Sequence, residues 1–311
     1  MDELQGRPSL RALSIGEIFD RAVTIYVRHF VVFTLIVLTL LVPLGILEYF
    51  FTDSSTNSLT QLIQQVEHPT AHLATYSPAQ YGALFLLAAV ALIFSPFTNN
   101  AVATGVAAIY AGRTPTYRDG YARVLRRWAP LVGTMFLCLL IFCGAYLAVV
   151  LAVTIVVLAG GALLIALPFL GIPLALVGIA LLIAVVLFFL LLLMCCAFAL
   201  YATTLEGVNP AHAIGEAFRR IFNRRELGKA TLISLAYLAI EFGATFIAGA
   251  VAFLALSAIH STIVQLVITT VINAAVAAFT TILLAVYYYD VRTRSEGLDL
   301  EVDLERLTAP S

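Results

Sequence analysis

The chain has 311 residues, 62% hydrophobic and only 11% charged, with a mean hydropathy of +1.01 and a net charge of −1. Soluble domains run at roughly 45–50% apolar and about 25% charged, so the composition excludes a soluble globular domain and predicts an all-α polytopic membrane protein. The basic residues gather at the ends of apolar runs and not over a free domain, which argues against nucleic acid as a partner.

In chain order, residues 1–13 form a polar segment, and Ser14-Ile15-Gly16-Glu17 is a capping box that starts a helix. Ile15, Ile18, Phe19, Ala22, Tyr26 and Phe30 recur at helical steps while Glu17, Arg21, Thr24 and Arg28 take the other face, a pattern suited to the membrane surface. A first span follows near 30–51, expected to be a retained signal anchor because no cleavage-site pattern follows it. Residues 52–80 carry no Lys or Arg; Leu59, Leu62, Ile63 and Val66 make a short stripe, and His68 and His72 have i, i+4 spacing, but Pro69 between them argues against a metal pair. The second span, about 82–110, contains Pro96 and Asn99-Asn100. Thr116 and Asp119 repeat the cap chemistry before a second amphipathic stripe of Tyr117, Tyr121, Val124, Leu125 and Trp128, with Arg118, Arg123, Arg126 and Arg127 facing away. From 130 to 204 no residue is charged, more than two crossings need; the expectation is spans at 130–158 and 172–203 broken around Gly160-Gly161, Pro168, Gly171 and Pro173, with four short spans as the alternative. The connection at 159–171 is read as shallowly re-entrant or packed on its neighbours. Asn209-Pro210 opens a third amphipathic helix bearing Arg219, Arg220, Arg224 and Arg225, and the last spans fall near 229–258 and 261–289. An acidic tail is expected from Asp290 to Ser311; within it, residues 298–304 alternate apolar and acidic side chains, the pattern of a strand that docks on another protein's sheet edge, set against a disordered or short helical tail.

Ile15-Gly16-Glu17-Ile18-Phe19-Asp20-Arg21 is written again as Ile214-Gly215-Glu216-Ala217-Phe218-Arg219-Arg220, with a looser copy at Tyr117-Arg118-Asp119-Gly120-Tyr121-Ala122-Arg123. The membrane domain, 14–289, is therefore predicted to be three parallel repeats, about 14–110, 116–204 and 209–289, each a cytoplasmic amphipathic helix plus a transmembrane hairpin. All 17 Lys and Arg fall before span 1, between spans 2 and 3, between spans 4 and 5, or after span 6. With six spans these places share one side, so the positive-inside rule puts both termini in the cytoplasm.

The acid of each cassette precedes its arginine by four residues, the order that favours a helical ion pair. Two readings of the basic residues stand side by side: a solvated face that sets topology, or headgroup sites for anionic membrane lipids at Arg21, Arg123, Arg126, Arg127, Arg220 and Arg224. Glu241 is the one acid in the middle of a span, and Asn99, Asn100 and Asn273 are its candidate partners, as a structural clasp or as a substrate or proton site. The small residues Ala244, Ala248, Ala252, Ala274 and Ala278 read as helix contact faces, and the four cysteines as small core residues and not a metal or redox set. No catalytic motif, cofactor site or metal site is found, and no soluble segment is long enough to hold a catalytic domain. The expected function is non-enzymatic, binding or organising lipids or partner proteins at the inner leaflet; the alternative is a transporter or channel with its polar site around Glu241, and a membrane-embedded lipid enzyme ranks third.

Leu13-Ser14-Ile15-Gly16-Glu17-Ile18-Phe19-Asp20-Arg21 and Tyr289-Asp290-Val291-Arg292-Thr293-Arg294-Ser295-Glu296-Gly297-Leu298-Asp299-Leu300 resemble the opening and closing signatures of the bacterial membrane-domain family named after glycerophosphoryl diester phosphodiesterase. The resemblance covers nearly the whole chain, though the middle matches only in character. It implies a six-helix bacterial inner-membrane protein with a link to glycerolipids. The soluble barrel that carries catalysis in some family members has no counterpart here, so the resemblance carries no catalytic residue onto this chain.

Overall fold

The computed structural model describes residues 13–51, 78–166, 171–224, 226–259 and 262–296. Among them every regular element is helical. In order they are α1 (Ile15–Arg28), α2 (Phe30–Phe51), α3 (Pro78–Tyr110), α4 (Tyr117–Arg126), α5 (Trp128–Ala166), α6 (Gly171–Tyr201), a π turn (Ala202–Glu206), α7 (Pro210–Ile221), α8 (Leu227–Ile259) and α9 (Thr262–Glu296). Six of them, α2, α3, α5, α6, α8 and α9, are long and apolar enough to cross a membrane. The histidine pair, the stripe at 59–66 and the alternating tail at 298–304 lie outside the described residues.

The uncharged run forms two long helices, as expected, and not four short ones, and α5 continues as helix through Gly160-Gly161 to Ala166, beyond the expected end of the span at 158. Glycine pairs do not break a helix by themselves; the propensity cost of about 1 kcal/mol each is small against 39 residues of continuous hydrogen bonding. At the other end, α9 runs to Glu296, so residues 290–296 of the expected tail are helical.

The chain forms two compact units, one made of residues 1–126 and 237–311, the other of 127–236. In the first, α2, α3 and α9 pack on one another, α1 lies against α9, and α4 lies against α3 and α2. Gly105 lets Phe33 of α2 approach: a Cβ there would stand 2.7 Å from the ring. Gly120 brings α4 onto α3 in the same way, since its Cβ would be 3.1 Å from the Ala101 carbonyl oxygen. In the second, α5, α6 and the π turn surround α7. The small residues Ala248, Ala252, Ala274 and Ala278 are buried.

Each of the three short helices turns part of its apolar surface into the protein, while Tyr117, Leu125 and Trp128 of the second stripe and Phe222 of the third stay exposed. Ile18, Ala22 and Ile25 of α1, Val124 of α4, and Ala213, Ala217 and Ile221 of α7 are buried inside the protein. An amphipathic stripe specifies only that one face leaves water, and packing against a neighbouring helix satisfies it as well as lipid does. Tyr26 fixes α1 to α9: its hydroxyl donates to the Ala275 carbonyl at 2.8 Å and its ring meets Phe279 edge-on, and burial raises the phenol above its ordinary pKa. His29, at the corner between α1 and α2, is pushed down by burial and by the neighbouring Arg28.

The expected caps form at two of three helices. Ser14 Oγ accepts from the Glu17 amide, and the Ser14 amide donates to Glu17 Oε2 at 2.7 Å, the reciprocal box. Thr116 Oγ1 accepts from the Asp119 amide and donates to Asp119 Oδ2 at 2.6 Å. Asn209 holds the N-cap position before Pro210, but its side chain makes no capping bond.

Candidate functional site

Each of the three cassette arginines has a different environment. Arg21 lies over the ring of Tyr110, 5.9 Å from its centroid. Arg123 is exposed, and Asp119, spent on the Thr116 cap, makes no ion pair with it. Arg220 is buried, with its guanidinium 3.2 Å from Glu206 Oε1 and 2.8 Å from Glu216 Oε2. The i, i+4 pair that the spacing favours thus forms at Glu216–Arg220, where burial holds it. Arg220 is therefore no headgroup ligand: its donors are committed inside the second unit. Of the six candidate lipid-binding residues, Arg123, Arg126, Arg127 and Arg224 are exposed.

Glu206 reaches Arg220 because of the π turn. The extra residue of that turn and Gly207, at φ +79°, end α6 with the chain reversed, and the Gly207 amide closes the turn on the Ala202 carbonyl at 3.1 Å. A side chain at Gly207 would be strained by that φ and would also run into the Arg127 guanidinium, which lies over the glycine. Thr203 in the turn shares a hydrogen bond of 2.8 Å with Thr134 of α5, which holds the turn in register. Glu216 also faces His212 at 3.2 Å and Arg219 at 3.5 Å, both exposed.

In the first unit the two ends of the described chain meet. The Leu13 amide donates to Asp290 Oδ1 at 2.5 Å, Arg294 Nη2 donates to the Leu13 carbonyl at 2.6 Å, and Arg294 Nε donates to Asp290 Oδ2 at 3.2 Å. The Asp290 side chain is fully buried. Next to Asp290, the ring of Tyr289 lies tilted against Tyr110 with centroids 4.7 Å apart, and Arg21 lies over the same Tyr110 ring. Sequence spacing offered no signal for the clasp of Leu13, Asp290 and Arg294, because its members are 277 and 281 positions apart.

The mid-span polar residues do not converge as expected. Glu241 Oε1 accepts from Thr280 at 2.8 Å, and none of the three asparagines bonds to it. Asn99 Oδ1 accepts from Thr281 at 3.3 Å. Asn100 is fully buried, donates to the Pro96 carbonyl at 2.8 Å and leaves Oδ1 without a partner among the described residues. Consecutive helical residues point about 100° apart, so Thr280 and Thr281 serve different neighbours, α8 and α3. Asn273 lies instead on a cavity of about 310 Å³ between α2, α3 and α9, lined by leucines and alanines with Thr269, Thr270 and Asn273 along the α9 wall. Glu241 is not among the lining residues.

The hydrogen bond between Thr280 and Glu241 joins α9 to α8. Glu241→Gln should be nearly silent, and Glu241→Leu should cost no more than about 1 kcal/mol, because Thr280 also bonds the Ala277 carbonyl at 3.2 Å and membrane polar contacts average about 0.6 kcal/mol. Thermal unfolding of both variants in detergent reads this directly; a loss above about 3 kcal/mol for Glu241→Leu would show that the carboxylate holds more than one threonine.

Among the described residues no three of His, Cys, Asp and Glu gather as a metal-ligand set. Cys138 and Cys195 are buried, Cys196 half-buried and Cys143 exposed, and all four are free thiols. The six long apolar helices define a multi-pass membrane protein. None of the family models, curated proteins or solved structures compared with the chain matches it.

Proposed function

We propose that this is a non-enzymatic, multi-pass protein of the bacterial inner membrane that binds anionic lipid at the inner leaflet, with both termini cytoplasmic. The observation that carries the reading is at α4, where Arg123 and Arg126 are exposed, pair with no acid among the described residues and flank Leu125, itself 59% exposed. Cations beside an exposed apolar side chain match a headgroup region, where each adds on the order of 1 kcal/mol near an anionic surface. The resemblance to the membrane-domain family, its glycerolipid link and the three-repeat organisation belong to the same proposal. What supports the resemblance is that the two stretches carrying it meet at Leu13, Asp290 and Arg294. A cytoplasmic protein partner on the C-terminal tail is part of the proposal, tested by deleting residues 298–311 and looking for loss of co-purifying protein.

The double variant Arg123→Gln/Arg126→Gln should retain about thirtyfold less phosphatidylglycerol after detergent exchange, as expected from about 1 kcal/mol for each of the two lost cations, with unchanged thermal unfolding. Equal retention would refute the headgroup assignment. For the orientation, single cysteines at Ser58 and Ser77 in a cysteine-free background should react with an impermeant reagent on sealed cells. A cysteine at Gly297 should not, and its labelling would reverse the topology.

A further inference from the structure

Two contacts between the antiparallel helices α5 and α6 fix their register. Thr134 and Thr203 share a hydroxyl hydrogen bond of 2.8 Å, and further along the pair the ring centroids of Phe142 and Phe189 lie 5.2 Å apart. Thr134, Cys138 and Phe142 follow one another at four-residue steps, and Phe189, Cys196 and Thr203 at seven-residue steps, so each set shares one face of its helix. Cys138 and Cys196 stand at the midpoint of these sets, opposite each other. Their thiols are hydrogen-bonded to one another. Cys195 is turned about 100° around the helix from Cys196, and Cys143 is exposed, which leaves Cys138 and Cys196 as the facing pair.

Both sulfurs are deep. Cys138 is ten residues from Trp128 and Cys196 ten residues from Glu206, the ends of the two spans, so at 1.5 Å per residue they lie roughly 15 Å inside. In a hydrocarbon core about 30 Å thick, that is near the midplane. A free thiolate is disfavoured there, which shuts out exchange with polar disulfides dissolved in water. Cys138 is 7% exposed, while Cys196 is half-buried, with the rest of its surface open to lipid. An oxidant for this pair must dissolve in the bilayer and take up a proton with each electron.

We infer that Cys138 and Cys196 form a redox site, a dithiol that closes to a disulfide between α5 and α6 when a quinone dissolved in the bilayer oxidises it. Both S–H bonds break, one S–S bond forms, and the two electrons and two protons pass to the quinone, which leaves as the hydroquinone. The new bond ties α5 to α6 between the threonine pair and the phenylalanine pair. The site is independent of the lipid-binding reading, since it lies wholly in the second unit and Arg123 and Arg126 belong to the first.

The full chain, reduced and reconstituted in vesicles of phosphatidylethanolamine and phosphatidylglycerol, is freed of reductant and exposed under argon to decylubiquinone, whose ring has no open position for thiol addition. Thiols counted after denaturation should fall from four to two per chain, with one hydroquinone formed for each pair lost. Peptide mass spectrometry without reduction should join Cys138 to Cys196, and dithiothreitol should restore all four thiols. Cys138→Ala and Cys196→Ala should each keep their three thiols, whereas Cys143→Ala and Cys195→Ala should each fall from three to one. All four variants are checked by thermal unfolding. If Cys138→Ala fails to fold, Cys196→Ala, at the less buried position, decides the matter. Glutathione disulfide in the same vesicles should leave four thiols, and oxidation by it as fast as by the quinone would overturn the bilayer oxidant. A count that stays at four with decylubiquinone, or a linked peptide that holds Cys143 or Cys195 instead, would overturn the site.

Discussion

Arg220→Met should destabilise the second unit by about 3–5 kcal/mol, the loss typical of removing one partner from a buried ion pair. The guanidinium is 5% exposed, and its acids, Glu206 and Glu216, are 9% and 17% exposed, so without it two carboxylates repel each other where solvent screens them little. Replacing all three members by Arg220→Met/Glu206→Gln/Glu216→Gln should recover most of the loss, because a neutral cluster of similar volume has no desolvated charge to compensate. Thermal unfolding in detergent measures both. Arg224, exposed and one turn further on, is the control: Arg224→Gln should change stability by no more than about 0.5 kcal/mol. If Arg220→Met behaved like Arg224→Gln, the buried triad would not be an energetic unit.

Asp290→Ala should destabilise the first unit by about 3 kcal/mol. The carboxylate accepts from a buried backbone amide and from a guanidinium, both charge-assisted bonds worth more than neutral ones, and its removal takes both of these bonds away. The figure sits at the low end for a broken buried pair because Arg294 is 34% exposed and water can serve it. Loss of the clasp should also free the segment before α1. Limited proteolysis should therefore cut near Leu13 in Asp290→Ala well before it cuts the parent, and Asp290→Asn, which keeps one acceptor, should fall between them. An Asp290→Ala protein as stable and as protease-resistant as the parent would sink the clasp.

Most of the architecture was legible in the residues alone, for a physical reason. A span needs only a run of apolar side chains long enough to cross the hydrocarbon, since each helix satisfies its own backbone, so α2, α3, α5, α6, α8 and α9 could be located to within a few residues wherever a charge or a cap marked the end. Ser14 with Glu17 and Thr116 with Asp119 were equally readable, because a cap is made between neighbours three apart. Helix α5 runs past the expected end of its span, and α9 past Asp290, where sequence punctuation gave no helical signal. Gly160-Gly161 is tolerated inside a long helix, and the acid at 290 stands inside a helix with its side chain accepting from the Leu13 amide.

What the sequence could not decide was the fate of residues with the same local pattern. Arg21, Arg123 and Arg220 hold the same place in three similar cassettes, yet one faces an aromatic ring, one is exposed and one is buried between two acids. Glu206 was missed as a partner of Arg220 because fourteen residues and a π turn separate them, a distance no helical periodicity encodes. The asparagines were grouped with Glu241 by depth in the membrane, but depth is one coordinate, and the rotation of each helix about its axis is set by its packing partners. That rotation turned Asn100 inward, gave Glu241 to Thr280 and put Asn273 on a cavity. The sequence by itself determined the spans, the caps and the distribution of charge, all functions of near neighbours and of transfer from water. Which side chains meet, and which remain open to a ligand, was decided by tertiary packing, through contacts between residues up to 281 positions apart.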